Sequence, residues 1–198
     1  AAARDEHASI ASFLQFGLEL LHLGAPPEMV EAASRAAQDE VRHARLSAGV
    51  ATSLDGRRVG PGALPCGDVV PRPRCAHVAL AAFHHGAIGE TLASARLAAA
   101  ARVTTDGELK DILTAIAEDE MRHAELAWRF VAWAVRQDPA ARQVVFEAAS
   151  AVCEAPMPTM TGGLPLPATV CHAGGRLTKS EACRTYRETW NQVLRPAA

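Results

Sequence analysis

The sequence predicts an all-α protein, a four-helix bundle with one long crossover between helices two and three and one or two extra C-terminal helices. Three observations carry that expectation. Segments 3–23, 27–53, 76–103 and 107–136 repeat apolar residues at three- and four-residue steps, the spacing of one helix face. The connection over 54–76 is punctuated by Gly and Pro and is long enough to cross from one end of a bundle to the other. Finally, Asp39-Glu40-Val41-Arg42-His43-Ala44-Arg45-Leu46 recurs as Asp119-Glu120-Met121-Arg122-His123-Ala124-Glu125-Leu126, identical at six of eight positions. The two halves therefore read as a weak internal repeat.

The first helix is expected over 3–23, with Ile10, Phe13, Leu14, Gly17, Leu18 and Leu21 as its apolar residues. Gly24-Ala25-Pro26-Pro27 ends it and opens the second helix, since proline is tolerated in a first turn. So short a loop makes the two helices antiparallel neighbours. The second carries Met29, Val30, Ala33, Ala36, Ala37, Val41, Ala44 and Val50. Asp55-Gly56, Gly60-Pro61-Gly62, Pro65, Pro71 and Pro73 then abolish any helical period.

The third helix is rich in alanine. Thr104-Thr105-Asp106-Gly107 breaks it, and Thr105 or Asp106 can cap the fourth. Asp138-Pro139 marks a boundary before a fifth helix over 139–154, carrying Val144, Val145, Phe146, Ala149 and Val152. Pro156, Pro158, Gly162-Gly163, Pro165 and Pro167 make the next stretch irregular. A last helix is expected over 178–194 with Ser180 as a cap, its stripe of Ala182, Tyr186, Trp190 and Leu194 packed on the bundle. The domain reading is a bundle plus fifth helix over 1–155, then an irregular stretch and a packed C-terminal helix over 156–198.

Composition narrows the function classes. A chain of 198 residues, 49% hydrophobic and 21% charged, can bury the core of one globular domain. A net charge of -2 gives no electrostatic case for a nucleic-acid partner. No run approaches the roughly 20 apolar residues of a membrane span, so no membrane partner is expected. Arg4, Asp5 and Glu6 interrupt the N-terminus at once, so no signal peptide is visible and a cytoplasmic location is expected. Cys66, Cys75, Cys153, Cys171 and Cys183 form no C-x-x-C pair, which disfavours a structural zinc or four-cysteine iron site. Isolated buried thiols are expected, with Cys66–Cys75 and Cys171–Cys183 the pairings left open.

The chemistry lies in the repeated strip. Glu40-x-x-His43 and Glu120-x-x-His123 each set a carboxylate and an imidazole on one helix face, one turn apart. Alone, such a pair is as readily a solvated surface. Its duplication points to a metal site, which then needs one more carboxylate from each half. Glu6 and Glu90 supply it, 34 residues before Glu40 and 30 before Glu120. Glu90 sits mid-helix among Gly86, Ala87, Leu92 and Ala93, where a lone charge is costly unless paired or metal-bound. Glu6 precedes Ile10 and Phe13 on the same face. Four glutamates and two histidines form a donor set suited to iron or manganese. Gly86, Ala87 and Gly89 mark either a cavity beside Glu90 or close helix packing.

With these residues the chain resembles the ferritin-like di-iron carboxylate superfamily, over about residues 4–136. Bacterioferritins, rubrerythrins and di-iron hydroxylases share the ligand plan. The resemblance implies that Glu6, Glu40 and His43 bind one side of a two-metal centre and Glu90, Glu120 and His123 the other, with Glu40 and Glu120 bridging. It implies two iron ions as cofactors, or manganese in their place. Asp39 and Asp119 are then expected to orient the opposite histidine, with Arg42 and Arg122 paired to the aspartates. Val41 stands where haem-binding bacterioferritins carry methionine, so no haem is expected. Tyr186, the single tyrosine, lies outside the four helices, which disfavours a tyrosyl radical.

The expected activity is a non-haem di-iron oxidase or oxygenase. Its partners are O2 or peroxide, a small organic substrate and a reductant, with a homodimer as the assembly the reading allows. The alternative is ferroxidase activity with iron sequestration.

Overall fold

The computed structural model describes residues 2–58, 60, 62–64, 73–154 and 166–197. Among them every regular element is helical and no strand occurs. No helix among these residues is long and apolar enough to cross a membrane. In chain order α1 is Ala2–Leu23 and α2 is Pro27–Asp55. The third helix runs unbroken as Cys75–Ala81, a π-helical stretch Ala82–Glu90, and Thr91–Val103; together these are α3. Then follow α4 (Gly107–Gln137), α5 (Pro139–Glu154) and a short α6 (Ala168–Ala173). The last helix, α7, joins Lys179–Thr189, a π turn Trp190–Leu194 and a final turn Arg195–Ala197. Contacts divide the chain into two compact units, Ala1–Val78 and Ala79–Ala198.

Local signals set the helix limits. Pro26 is extended (φ -51°, ψ 138°) and Pro27 begins α2, where a missing N–H costs nothing. At its far end Gly56 turns left-handed at φ 69° and donates its N–H to the Thr52 carbonyl. Asp106 caps α4, its side chain accepting the Leu109 N–H at 2.8 Å. The last helix begins differently from expectation. Thr178 caps it and Ser180 lies inside, because Thr178 and Glu181 have the spacing of a reciprocal capping box.

In the first unit α1 packs along α2. Leu20, Met29, Ala33 and Ala36 are buried. The apolar residues expected on α1 divide between two faces. Leu14, Leu18 and Leu21 are 58%, 50% and 63% exposed, while Leu20 is fully buried. The stripe Glu6, Ile10, Phe13, Gly17, Leu20 has the same four-three spacing as His7, Ala11, Leu14, Leu18, Leu21, one residue earlier. One residue is about 100° of helix, so only one stripe can turn inward. It is the first: a side chain on Gly17 would meet Ala33 at 3.9 Å.

In the second unit α4 packs against α3 and α5, and α3 also meets α7. The approach of α3 to α4 is close. A Cβ on Gly86 would stand 2.5 Å from the Ala127 Cβ, so glycine is required there. Of the two roles open to that residue, close packing is the one seen. Phe83, buried in the π stretch, meets Trp128 edge-on at 5.9 Å. At the other end Ala100, Ala101 and Leu113 are covered by Leu97, Leu109 and Leu177. Gly175 (φ 64°) turns the chain there, with room for no Cβ beside Leu109. Trp190 and Leu194 are buried, whereas Val193 is exposed.

Cys171 is buried, Cys183 half-buried and Cys153 exposed, all three as free thiols. A Cys171–Cys183 disulfide is therefore not formed, and Cys153 departs from the expected burial. Cys66 lies outside the described residues, as do Pro65, Pro71 and residues 155–165 of the irregular stretch.

Glu181 also receives His172 from α6, whose Nε2 lies 3.1 Å from both carboxylate oxygens. The Thr178 backbone N–H, His172 and the Thr178 hydroxyl together hold the Glu181 carboxyl at about 2, below the ordinary 4.5. A depressed folded value means that the stabilisation is whole above pH 4.5 and is lost as pH falls through about 2. The Thr178 amide resonance is therefore expected to titrate near pH 2. The stability advantage of the protein over Glu181→Gln should vanish over the same window; a midpoint near 4.5 would contradict the assignment.

Candidate metal centre

The donors of the first unit come from two packed helices. Glu6 lies in the second turn of α1, and Glu40 and His43 lie one turn apart on α2. His43 Nδ1 stands 3.6 Å from Glu40 Oε2 and 4.0 Å from Glu6 Oε2. One ligand atom from each of the three lies within 4.8 Å of the others. The His43 and Glu40 side chains are 0% and 2% exposed, whereas Glu6 is 18% exposed and forms the solvent edge. His7, next in the chain, reaches the Gly62 carbonyl through Nε2 at 3.1 Å and ties that turn of α1 to the following connection.

The second unit repeats the motif on α4 with a different internal arrangement. His123 Nδ1 lies 3.0 Å from Glu120 Oε2, a hydrogen bond inside the motif, with the two side chains 2% and 6% exposed. Glu90 closes the π-helical stretch of α3 and is half-buried. Among the described residues Glu90 and His123 belong to no group of three or more donors drawn as close as those of the first unit. The flanking residues behave alike in both motifs. Arg42 donates to Asp39 at 2.9 Å, and Arg122 donates to Asp119. Both aspartates are mostly buried while both arginines reach solvent.

Burying a carboxylate is costly unless it is hydrogen-bonded or bound to a cation. Carboxylate oxygens and one imidazole nitrogen, converging inside a helical scaffold, could hold a metal ion. Nδ1 is the nitrogen of His43 that faces both glutamates. Separations of 3.6 and 4.0 Å suit two donors each about 2.0–2.2 Å from a shared ion.

Three residues beside Glu90 were not singled out by sequence. Thr91 donates to the Ala87 carbonyl at 2.6 Å, and Trp128 Nε1 donates to the Thr91 hydroxyl at 3.4 Å. Ser94 donates across to the Ala117 carbonyl of α4 at 2.8 Å. Both hydroxyls are buried. Polar residues one and four places after Glu90 in an alanine-rich helix were the available signal. The π-helical stretch had none: it takes an extra residue per turn and leaves apolar spacing nearly unchanged. His84 and His85 lie on it and are exposed.

No protein-family model, curated protein or solved structure matches this chain.

Proposed function

We propose that the protein is a ferritin-like four-helix bundle carrying a dinuclear carboxylate centre, and that it is a non-haem di-iron oxidoreductase. The observation that carries this reading is the buried convergence of Glu6, Glu40 and His43, repeated in part as Glu120 with His123. Four glutamates, Glu6, Glu40, Glu90 and Glu120, would hold and balance two divalent ions.

When bound, two iron ions, or manganese in their place, supply the electrons that activate O2 or peroxide against a small organic substrate. The chain's own residues have other tasks. His43 and His123 hold the centre through Nδ1. Asp39 and Asp119, each anchored by its arginine, would orient the imidazole of the opposite motif. The buried walls exclude water, and the partial exposure of Glu6 gives an ion its way in. Ferroxidase activity with iron sequestration would use the same residues, but requires large assemblies and iron oxidation without an organic substrate.

Metal analysis tests the proposal. Protein produced with iron supplied is expected to carry about two ions per chain, the number one carboxylate bundle holds. Glu120→Ala/His123→Ala should lose at least half of that. A content below one ion per chain that the double variant leaves unchanged would sink the reading.

A further inference from the structure

Two contacts fix the register of α3 against α4. The Ser94 hydroxyl donates to the Ala117 carbonyl at 2.8 Å. Gly86 stands so close to Ala127 that a Cβ on it would lie 2.5 Å from the Ala127 Cβ. The later residue of α3 meets the earlier residue of α4, so the two helices run antiparallel. Glu90 lies midway between Gly86 and Ser94, and midway between Ala117 and Ala127 lies Arg122, with Glu120 and His123 on either side of it. Glu90 is therefore level with the turn that carries Glu120 and His123. The faces agree with the level. Ser94 is one helical turn beyond Glu90, and Ala117 is one turn before Glu120, so the hydrogen bond joins the two faces that carry these donors.

The Ser94 bond also differs from its neighbours. A hydroxyl inside a helix ordinarily turns back to its own backbone, as Thr91 does toward Ala87 and Thr104 toward Ala100. Ser94, 4% exposed, crosses to the next helix instead. The Ala117 carbonyl serves its own helix ladder with one lone pair and accepts Ser94 with the other. A serine oxygen sits one bond from its Cβ, so a bond from it to a backbone carbonyl leaves little play between the two helices. An apolar contact at the same place would let them slide.

We propose that Ser94 is a positioning residue of the metal centre: by tying α3 to α4 one turn from the donors, it sets the separation across which Glu90 and the Glu120–His123 pair would share a metal. This rests on the proposed metal centre and adds to it a residue that touches no metal. Donors on two helices bind tightly only if the helices already stand at the right distance, within about 0.5 Å of the productive geometry.

Cobalt(II) titrated anaerobically into the chelator-stripped full chain, followed by calorimetry and visible absorption, tests the assignment. Ser94→Ala is expected to reach the stoichiometry of the parent with a Kd about tenfold weaker, the lower end for residues standing behind metal ligands, and with altered cobalt bands. Ser94→Thr keeps the hydroxyl and should hold the Kd and bands of the parent. Far-UV circular dichroism checks that each variant is folded; Ser94→Cys, near in size and a poor donor, replaces Ser94→Ala if that variant is not. A Ser94→Ala protein that is less stable to urea without metal, yet matches the parent in Kd and cobalt spectrum, makes the hydroxyl merely structural and overturns the positioning role while leaving the metal centre in place. Equal weakening in Ser94→Ala and Ser94→Thr assigns the effect to packing and overturns it as well. A parent that takes up no cobalt ends the metal reading itself, and the positioning role with it.

Discussion

Divalent metal at a thousandfold excess over its Kd is expected to stabilise this protein by about 4 kcal/mol, and to stabilise a Glu40→Leu/His43→Leu variant far less. The expectation follows from burial. Glu40 and His43 are both almost fully enclosed, and a site that exists only in the folded state converts binding energy into folding energy. The metal-free variant gives the complementary result. If these polar residues are there to bind an ion, replacing them by leucine relieves a desolvation cost and leaves the metal-free fold as stable as the parent or more so. If they instead form a structural network, the double variant loses about 3–5 kcal/mol. Denaturant unfolding with and without manganese(II) separates the two. A strongly destabilised metal-free variant together with a metal-insensitive parent would remove the ground for a metal centre.

Phe83→Ala is expected to cost about 3–5 kcal/mol, while Phe146→Ala should stay within about 0.5 kcal/mol of the parent. The chemistry of the two substitutions is the same; the surroundings differ. Phe83 is 1% exposed in the π-helical stretch and packs edge-on against Trp128. Phe146 on α5 is 69% exposed. The cavity left at Phe83 has little room to collapse, because Gly86 already brings α3 against Ala127 one turn later. Urea midpoints at constant m-value measure both effects. A difference below about 1 kcal/mol would mean that the π-helical stretch is not packed as described.

Most of the fold was legible because its signals are local. The 3–23 segment became Ala2–Leu23, 107–136 became Gly107–Gln137, and 139–154 became Pro139–Glu154. Pro27, Gly56 and Asp106 act on the backbone of their own turn, so no distant partner is needed to read them; at the last helix the sequence points to Ser180 for the cap that Thr178 supplies. The short α6 was missed because Pro167 and the glycines at 174 and 175 leave too few residues for a period to show. The pairing of Glu and His was also readable, since residues three apart share a face in any helix.

What the sequence determined by itself is therefore the long helices, most of their limits and two strips that can each offer a carboxylate and an imidazole on one side. Tertiary structure decided the rest. It chose which of two adjacent stripes of α1 turns inward, burying Leu20 and leaving Leu14, Leu18 and Leu21 to solvent. It set Gly86 against Ala127, widened α3 before Glu90, and drew Thr91 and Ser94 into hydrogen bonds. It also set the Glu-to-His separation at 3.0 Å in one motif and 3.6 Å in the other, and drew Glu6 up to the latter. Periodicity reports which residues share a face. The angle at which a face is used, and the distance between donors on different helices, depend on the side chains that meet there, and those come from parts of the chain too far apart for local spacing to record.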